Sequence, residues 1–423
     1  MSSFEQLGVT KWLDESLAAM AIYRPSDIQK SCIPPILAGR DCIGGAKTGS
    51  GKTIAFAAPM LTKWSKDPYG ICGLVLTPTR ELALQIAEQF RALGANMNVK
   101  VSVITGGTDM IKQTLELERR PHFVVATPGR LADHIKSSGE DTIGGLRRVK
   151  YLVMDEADRL LSPSIAPDLA VCMDVLPPAS KRQTLLFTAT ITDAVRSLRE
   201  RSPQVYIHEV PESAMALPAT LKQYYLLVPS YVKQAYLYSL LVNEEYADKT
   251  AIVFVNRTQT AEHVRRTLQL LDVKTTSLHS QLPQQERINS LARFRARAAR
   301  VLVATDVASR GLDIPEVGLV VNFDIPADPD DYIHRVGRTA RAGRKGESIS
   351  LVSERDVERI KSIESRVNAE MEESKLITDK SVVDSALKKV SIAKRQAVLE
   401  MDRDHFGERK KIHDLKAKRA RKI

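Results

Sequence analysis

Short aliphatic runs along the first half of the chain stop abruptly in polar residues, and each is followed by a segment of helical period. Leu74-Val75-Leu76 runs into Thr77-Pro78-Thr79-Arg80-Glu81, and Val124-Val125-Ala126 into Thr127-Pro128-Gly129-Arg130. Leu152-Val153-Met154 ends in Asp155-Glu156, and Leu185-Leu186-Phe187 in Thr188-Ala189-Thr190. Continuous apolar runs alternating with amphipathic segments predict a parallel sheet covered on both faces by crossover helices. A buried core explains the runs but not their repeated polar ends. In open α/β sheets ligands bind outside the carboxyl ends of the strands, so that edge is the predicted site.

The rhythm repeats further on. Ala251-Ile252-Val253-Phe254-Val255 leads into Asn256-Arg257, Val301-Leu302-Val303-Ala304 into Thr305-Asp306, and Leu319-Val320-Val321 into Asn322-Phe323-Asp324. Residues 209–221, with Pro211, Ser213 and Pro218 and no period, read as a linker between two domains. Ser348-Ile349-Ser350-Leu351-Val352 predicts a last strand, and Val357, Ile360, Ile363, Val367 and Met371 mark a helix that closes the second domain near residue 370. The expected division is therefore 1–208, a linker at 209–221, 222–370, and a helical then basic tail at 371–423.

Composition narrows the class. The 423 residues carry 62 Lys+Arg against 51 Asp+Glu, a formal net charge of +11. Thirteen Lys and Arg against five Asp and Glu fall between Ala386 and Ile423. The end of that tail, from Arg409, has no apolar periodicity and reads as a solvated arm, either solubilising or a nucleic-acid-binding and nuclear-targeting one. Cys32, Cys42, Cys72 and Cys172 have no metal or redox spacing and read as reduced thiols. No signal-peptide pattern and no membrane-length apolar run is present, so secretion and membrane insertion are not expected.

Ala46-Lys47-Thr48-Gly49-Ser50-Gly51-Lys52-Thr53 is a variant of the phosphate-loop pattern, with Ala46 where the first glycine usually stands. Gly49 and Gly51 let backbone N–H groups curl around phosphate oxygens, and the helical segment 54–61 offers its N-terminus. Lys52 supplies a point charge for the β- and γ-phosphates, and the Thr53 hydroxyl a Mg²⁺ ligand. A carboxylate at a strand end in the same domain is where such proteins hold the metal, which points to Asp155. Glu156 can take a proton from the attacking water. His334-Arg335-Val336-Gly337-Arg338-Thr339-Ala340-Arg341 supplies positive charge. Three residues apart, Arg338 and Arg341 would share one helix face and act as arginine fingers once the domains close.

With these motifs in this order, the chain from about residue 4 to 370 resembles the DEAD-box RNA helicases of superfamily 2. The resemblance implies two RecA-like domains, each a mostly parallel sheet flanked by helices, with a basic C-terminal tail. It implies ATP and Mg²⁺ as cofactors. Phe4 with Pro25-Ser26-Asp27-Ile28-Gln29 looks like the Q motif, in which Gln29 reads the adenine edge and Phe4 packs nearby. Pro78-Thr79-Arg80-Glu81-Leu82-Ala83, Gly106-Gly107 and Thr127-Pro128-Gly129-Arg130 match the RNA-backbone motifs of the first domain. Thr188-Ala189-Thr190 stands where the family couples hydrolysis to strand separation, and His334 joins that coupling set. In the second domain Asn256, then His279 with Gln284 and Arg287, match further motifs. Thr305 and Arg310 are implied on the RNA and interdomain surface, and Asp313 at the ribose or cleft. Ser280, Ser309 and Ala340 depart from the usual residues, each small for small.

The RNA side also has a physical reading. Arg80 and Arg130 sit at strand ends among threonines and glycines, which suits hydrogen bonds to phosphate and sugar. Aromatic residues are only 5% of the chain, against a base-stacking surface. Recognition is expected to be backbone-directed and independent of sequence. The Thr-Ala-Thr, Ala340 and the basic tail look most like the subgroup that acts in small-ribosomal-subunit biogenesis, which implies pre-rRNA, the nucleus and the nucleolus. A protein activator and a monomeric state complete the expectation. The same residues would also serve an ATP-gated RNA clamp with slow turnover, and a DNA translocase is disfavoured by the Q-motif match.

Overall fold

The structure is a computed structural model describing residues 3–46, 49–188, 205–209, 217, 220–306, 314, 316–340 and 344–406. The chain divides into two compact units, one running to about residue 215 and the other holding most of the chain after it.

The first unit is built on seven strands: β1 (Cys42–Gly45), β2 (Gly73–Leu76), β3 (Val101–Ile104), β4 (Phe123–Ala126), β5 (Tyr151–Asp155), β6 (Gln183–Thr188) and β7 (Tyr206–His208). Their order is β3-β4-β2-β5-β6-β1-β7, and every pair is parallel. Alternate residues feed two cores. Val75, Val125, Val153 and Phe187 face one helical layer, while Leu74, Leu76, Val124, Leu152 and Leu186 face the other. Strands apolar on both sides are what a doubly covered parallel sheet requires.

The second unit repeats the plan. Strands β8 (Leu221–Leu227), β9 (Ala251–Val255), β10 (Thr275–Leu278), β11 (Val301–Thr305), β12 (Leu319–Asn322), β13 (Gly346–Val352) and β14 (Glu372–Glu373) follow the order β10-β11-β9-β12-β13-β8-β14, again all parallel. Leu221, expected at the end of the linker, instead opens a seven-residue strand between β13 and β14. Most of 209–221 lies outside the described residues.

Packing of this unit continues past residue 370. Helix Leu387–Arg403 buries Val390, Ala393, Ala397 and Met401, and Ile377, Val382, Ala386 and Val390 join the core around Leu237 and Val264. Its cations are anchored as well, with Lys389 over the Tyr238 ring and Lys394 donating to the Tyr231 carbonyl at 3.1 Å. The basic end of the tail from 407 lies outside the described residues. All four cysteines are buried and unpaired with one another. Among the described residues no helix is long and apolar enough to cross a membrane.

Candidate active site

Neighbouring strands β5, β6 and β1 bring the expected nucleotide residues to one stretch of the first sheet's carboxyl edge. The Ala46 N–H donates to the Thr188 carbonyl at 3.0 Å, tying the start of the loop to the end of β6. Gly49 and Gly51 have φ of 82° and 90°, in the left-handed region that favours glycine. Gly51 leads into helix Lys52–Trp64, so the first N–H groups of that helix face the loop. Lys47 and Thr48 lie outside the described residues.

Gln29 braces this loop from behind. The Ser26 N–H donates to its Oε1 at 2.8 Å, while its Nε2 donates to the Gly51 carbonyl at 3.0 Å. The Ser26 hydroxyl donates to the Ser50 carbonyl at 2.7 Å. These partners fix the orientation of the amide, since only its oxygen can accept from Ser26. Phe4 is fully buried in the apolar cluster that contains Ile28 and Ile54.

Asp155 ends β5 and is 4% exposed. Burial raises its carboxyl, the Lys52 charge opposes this and Glu156 reinforces it, leaving the group pushed up to about 6. The Glu156 N–H donates to Asp155 Oδ1 at 3.1 Å. Glu156 itself has φ 55°, a left-handed turn held against its side chain's preference. Its buried Oε2 forms an ion pair with the Arg159 guanidinium at 3.6 Å and accepts no hydrogen bond among the described residues. A lone pair on that oxygen is therefore left for a donor closer than Arg159. No trio of His, Cys, Asp or Glu able to hold a metal exists among the described residues. The donors present are one carboxylate, Asp155, and the Thr53 hydroxyl. Such a hard, sparse oxygen set fits magnesium, which takes one or two protein ligands and fills its shell with water and phosphate oxygens.

The other half of the same edge, β2, β4 and β3, gathers the residues expected to meet RNA. Thr79 caps helix Arg80–Leu93, accepting from the Leu82 N–H. The Arg80 guanidinium lies against Gly106, where an added Cβ would meet Nη2 at 2.6 Å. Gly107 takes φ 87°. Arg130 Nη1 donates to the Thr108 carbonyl at 3.2 Å, so its charge is held beside that glycine turn. Thr127 precedes helix Pro128–Ser137, with Pro128 in the first turn. Gly129 sits where a Cβ would lie 3.2 Å from an Asp168 carboxylate oxygen. Two residues not singled out in the sequence support this turn. Gln113 donates to the Thr105 carbonyl at 2.8 Å, and its Oε1 is 3.1 Å from Nε2 of the fully buried His134. Their separation of 21 residues carries no pattern, so only the fold pairs them.

In the second unit Arg335, for which the sequence predicted no separate role, ties the ends of several strands together. Buried at 1% exposure, Arg335 makes two 2.6 Å bonds to the Asp306 carboxylate. It also donates to Asn256 Oδ1 at 2.8 Å and the Asp324 carbonyl at 2.6 Å, locking the ends of β9, β11 and β12. Helix Pro329–Val336 stops at Gly337, so Arg338 lies in the turn beyond it. Arg338 is 2% exposed, and its carbonyl accepts from the Val317 N–H. His334 is half-buried on the helix. The buried Thr305 hydroxyl makes no hydrogen bond among the described residues. Thr190, Arg310, Asp313 and Arg341 lie outside the described residues.

Known proteins match along most of the chain. The family model described as DEAD/DEAH box helicase matches residues 26–198, and that described as Helicase conserved C-terminal domain matches 232–343. The chain is 67% identical over 418 residues to the ATP-dependent RNA helicase DBP8 of Yarrowia lipolytica, covering 98% of this chain and 94% of that protein. It is 65% identical over 420 residues to the DBP8 helicase of Candida albicans, covering 98% and 96%. The structure of Saccharomyces cerevisiae Dbp5 bound to RNA and ADP BeF3 superposes with a TM-score of 0.79 at 29% identity, covering 93% of this chain and 99% of that one.

Proposed function

The chain belongs to the DEAD-box family of ATP-dependent RNA helicases, and on that premise we propose how its own residues divide the work. The gathering of the phosphate loop, Asp155, Glu156 and Thr188 on three adjacent strand ends carries the reading. ATP is bound with its phosphates against Gly49, Ser50, Gly51 and the N-terminus of helix Lys52–Trp64, with Lys47 and Thr48 completing the loop and Lys52 placing charge at the outer phosphates. Gln29 holds the loop's shape while its remaining N–H and lone pair face the base. Phe4 supports that corner from the core, and Asp313 serves the ribose. Asp155 and Thr53 would hold magnesium, which would neutralise charge on the phosphates. Glu156 accepts the proton of the attacking water through the lone pair left on Oε2. Arg338 and Arg341 stabilise the charge that develops on the leaving phosphates.

RNA is held by its backbone. Arg80, Gly107, Thr127, Gly129 and Arg130 serve it from the first unit, Thr305 and Arg310 from the second, all without reading sequence. Thr188, Thr190 and His334 couple hydrolysis to release of a displaced strand. The enzyme works as a monomer with a protein activator. It acts on pre-rRNA of the small ribosomal subunit in the nucleolus, the setting its motif variants and basic tail resemble. Steady-state ATP hydrolysis with single-stranded RNA, and with DNA of equal length, tests the core of this reading. RNA-selective stimulation is the expected result, and equal stimulation by DNA would overturn it.

A further inference from the structure

The second sheet has a charged cleft at the end opposite Asn256, Thr305 and Asp306, bordered through Val317 by the turn of Arg338. About 480 Å³ in volume, it opens where β9, β11, β12 and β13 begin, and it is lined by Lys249, Lys274, Arg297, Arg300, Arg344 and Lys345 against only Asp248 and Glu316. Part of this charge builds the walls. Arg300 donates to the carbonyls of Leu241 at 3.0 Å, Tyr246 at 3.0 Å and Lys249 at 3.3 Å. Lys249 pairs with Glu347 at 3.1 Å and lies over the Tyr246 ring, and Arg344 pairs with Glu316 at 3.2 Å. Lys274, Arg297 and Lys345 remain. All three are exposed and have no ion-pair partner among the described residues. Arg297 takes φ 56° just past helix Gln284–Arg295, in the left-handed position that ends many helices.

The lining excludes one class of ligand. Protein docking sites centre on aromatic or aliphatic anchors. Here the apolar contribution is Ala247 and Val317, and Val317 is 2% exposed. A cleft of this size with excess positive charge and no stacking surface suits a phosphodiester backbone. We propose that this cleft is a second RNA-backbone site, sequence-independent and separate from the motif edge. The inference takes its ligand from the helicase reading. The five-residue strand β9 separates the two edges by about 16 Å, so a long or structured RNA can occupy both while a short oligonucleotide at the motif edge does not.

The test uses the full chain carrying Lys274→Glu, Arg297→Glu and Lys345→Glu together. Affinity is measured across a salt series for a long duplex with a single-stranded extension, beside ATP hydrolysis stimulated by a short single-stranded RNA. Removing three cationic partners of the phosphates should weaken long-RNA binding by about tenfold and reduce the salt slope by about 2. Stimulation by the short RNA and the melting temperature should be unchanged. An unchanged slope for the long RNA, with stimulation intact, overturns the cleft alone. So does unchanged RNA binding with loss of a polyglutamate peptide bound by the unmodified chain, which would assign the cleft to an acidic protein segment. No RNA stimulation in the unmodified chain would sink the helicase reading and the cleft with it.

Discussion

Glu156 and Ala340 share a left-handed backbone, but for different reasons. At Glu156 the turn follows directly on Asp155 at the strand end, so the strain belongs to the site. Glu156→Gln should bind ATP with near-normal affinity and lose at least about 100-fold in hydrolysis, since the metal-holding carboxylate survives and the proton acceptor does not. Nucleotide titration beside a phosphate-release assay separates the two effects, and normal turnover would remove Glu156 from the role of base. Ala340 stands where the family usually has glycine, and its φ of 56° shows what that departure costs. Ala340→Gly should stabilise the chain by about 1 kcal/mol, read from urea unfolding, because glycine adopts this conformation without the Cβ clash. An unaltered unfolding midpoint would mean the surrounding turn has already absorbed the strain.

Among the elements, helix Thr258–Gln269 is fixed by a carboxylate and not by its apolar stripe alone. Glu262, 3% exposed, accepts from Arg265 and, at 2.7 Å, from Arg266, and Arg266 reaches Asp404 at 2.6 Å beyond the C-terminal helix. Ser277 and His279 at the end of β10 approach the same carboxylate. Burial would raise Glu262, but the nearby His279 ring and the hydrogen bonds from the two arginines outweigh it and hold the group well below the usual carboxylate range. A depressed carboxyl contributes stability above its unfolded value of about 4.3 and loses it as pH falls toward the folded value. Unfolding free energy should therefore decline as pH drops below about 4.5, and Glu262→Gln should flatten that decline. At neutral pH the same substitution should cost about 2–4 kcal/mol, because two arginines lose their shared partner. Equal acid sensitivity in variant and parent would place the effect elsewhere.

Over the whole molecule, the basic tail is the segment whose role the fold leaves open to test. Truncation at residue 386 would strip a helix whose Val390, Ala393, Ala397 and Met401 are buried, confounding RNA binding with folding. Removal of 407–423 is the cleaner test. It deletes eight of the chain's Lys and Arg residues. If the tail grips RNA, affinity should fall and the salt slope should drop by about 0.7 for each single-stranded phosphate that the tail neutralises. A slope identical to that of the full chain would leave targeting or solubility as the tail's role.

The repeated apolar runs were enough to predict parallel sheets with polar ends, because period and side-chain type are local properties that a doubly buried strand imposes on its own sequence. The phosphate loop, the acid pair and the helicase resemblance were legible for the same reason: each is a contiguous run. Strands β1, β3, β7, β8, β10 and β14 were not. Cys42–Gly45 has only two apolar residues before its glycines, and its Gly44 makes sense only once the Phe187 ring of β6 is seen against it, 2.6 Å from where a Cβ would stand. Thr275–Leu278 looks polar enough for a loop, yet all four residues are buried. Nor did spacing show that the helix ends at Gly337, before Arg338. The brace of Gln29 on the phosphate loop, the Arg335 junction of three strand ends and the cationic cleft at the far edge join residues tens of positions apart. The chain's own pattern therefore determined which chemistry it carries, while tertiary structure decided which groups meet, because contacts between distant segments form only when the sheets bring those segments together.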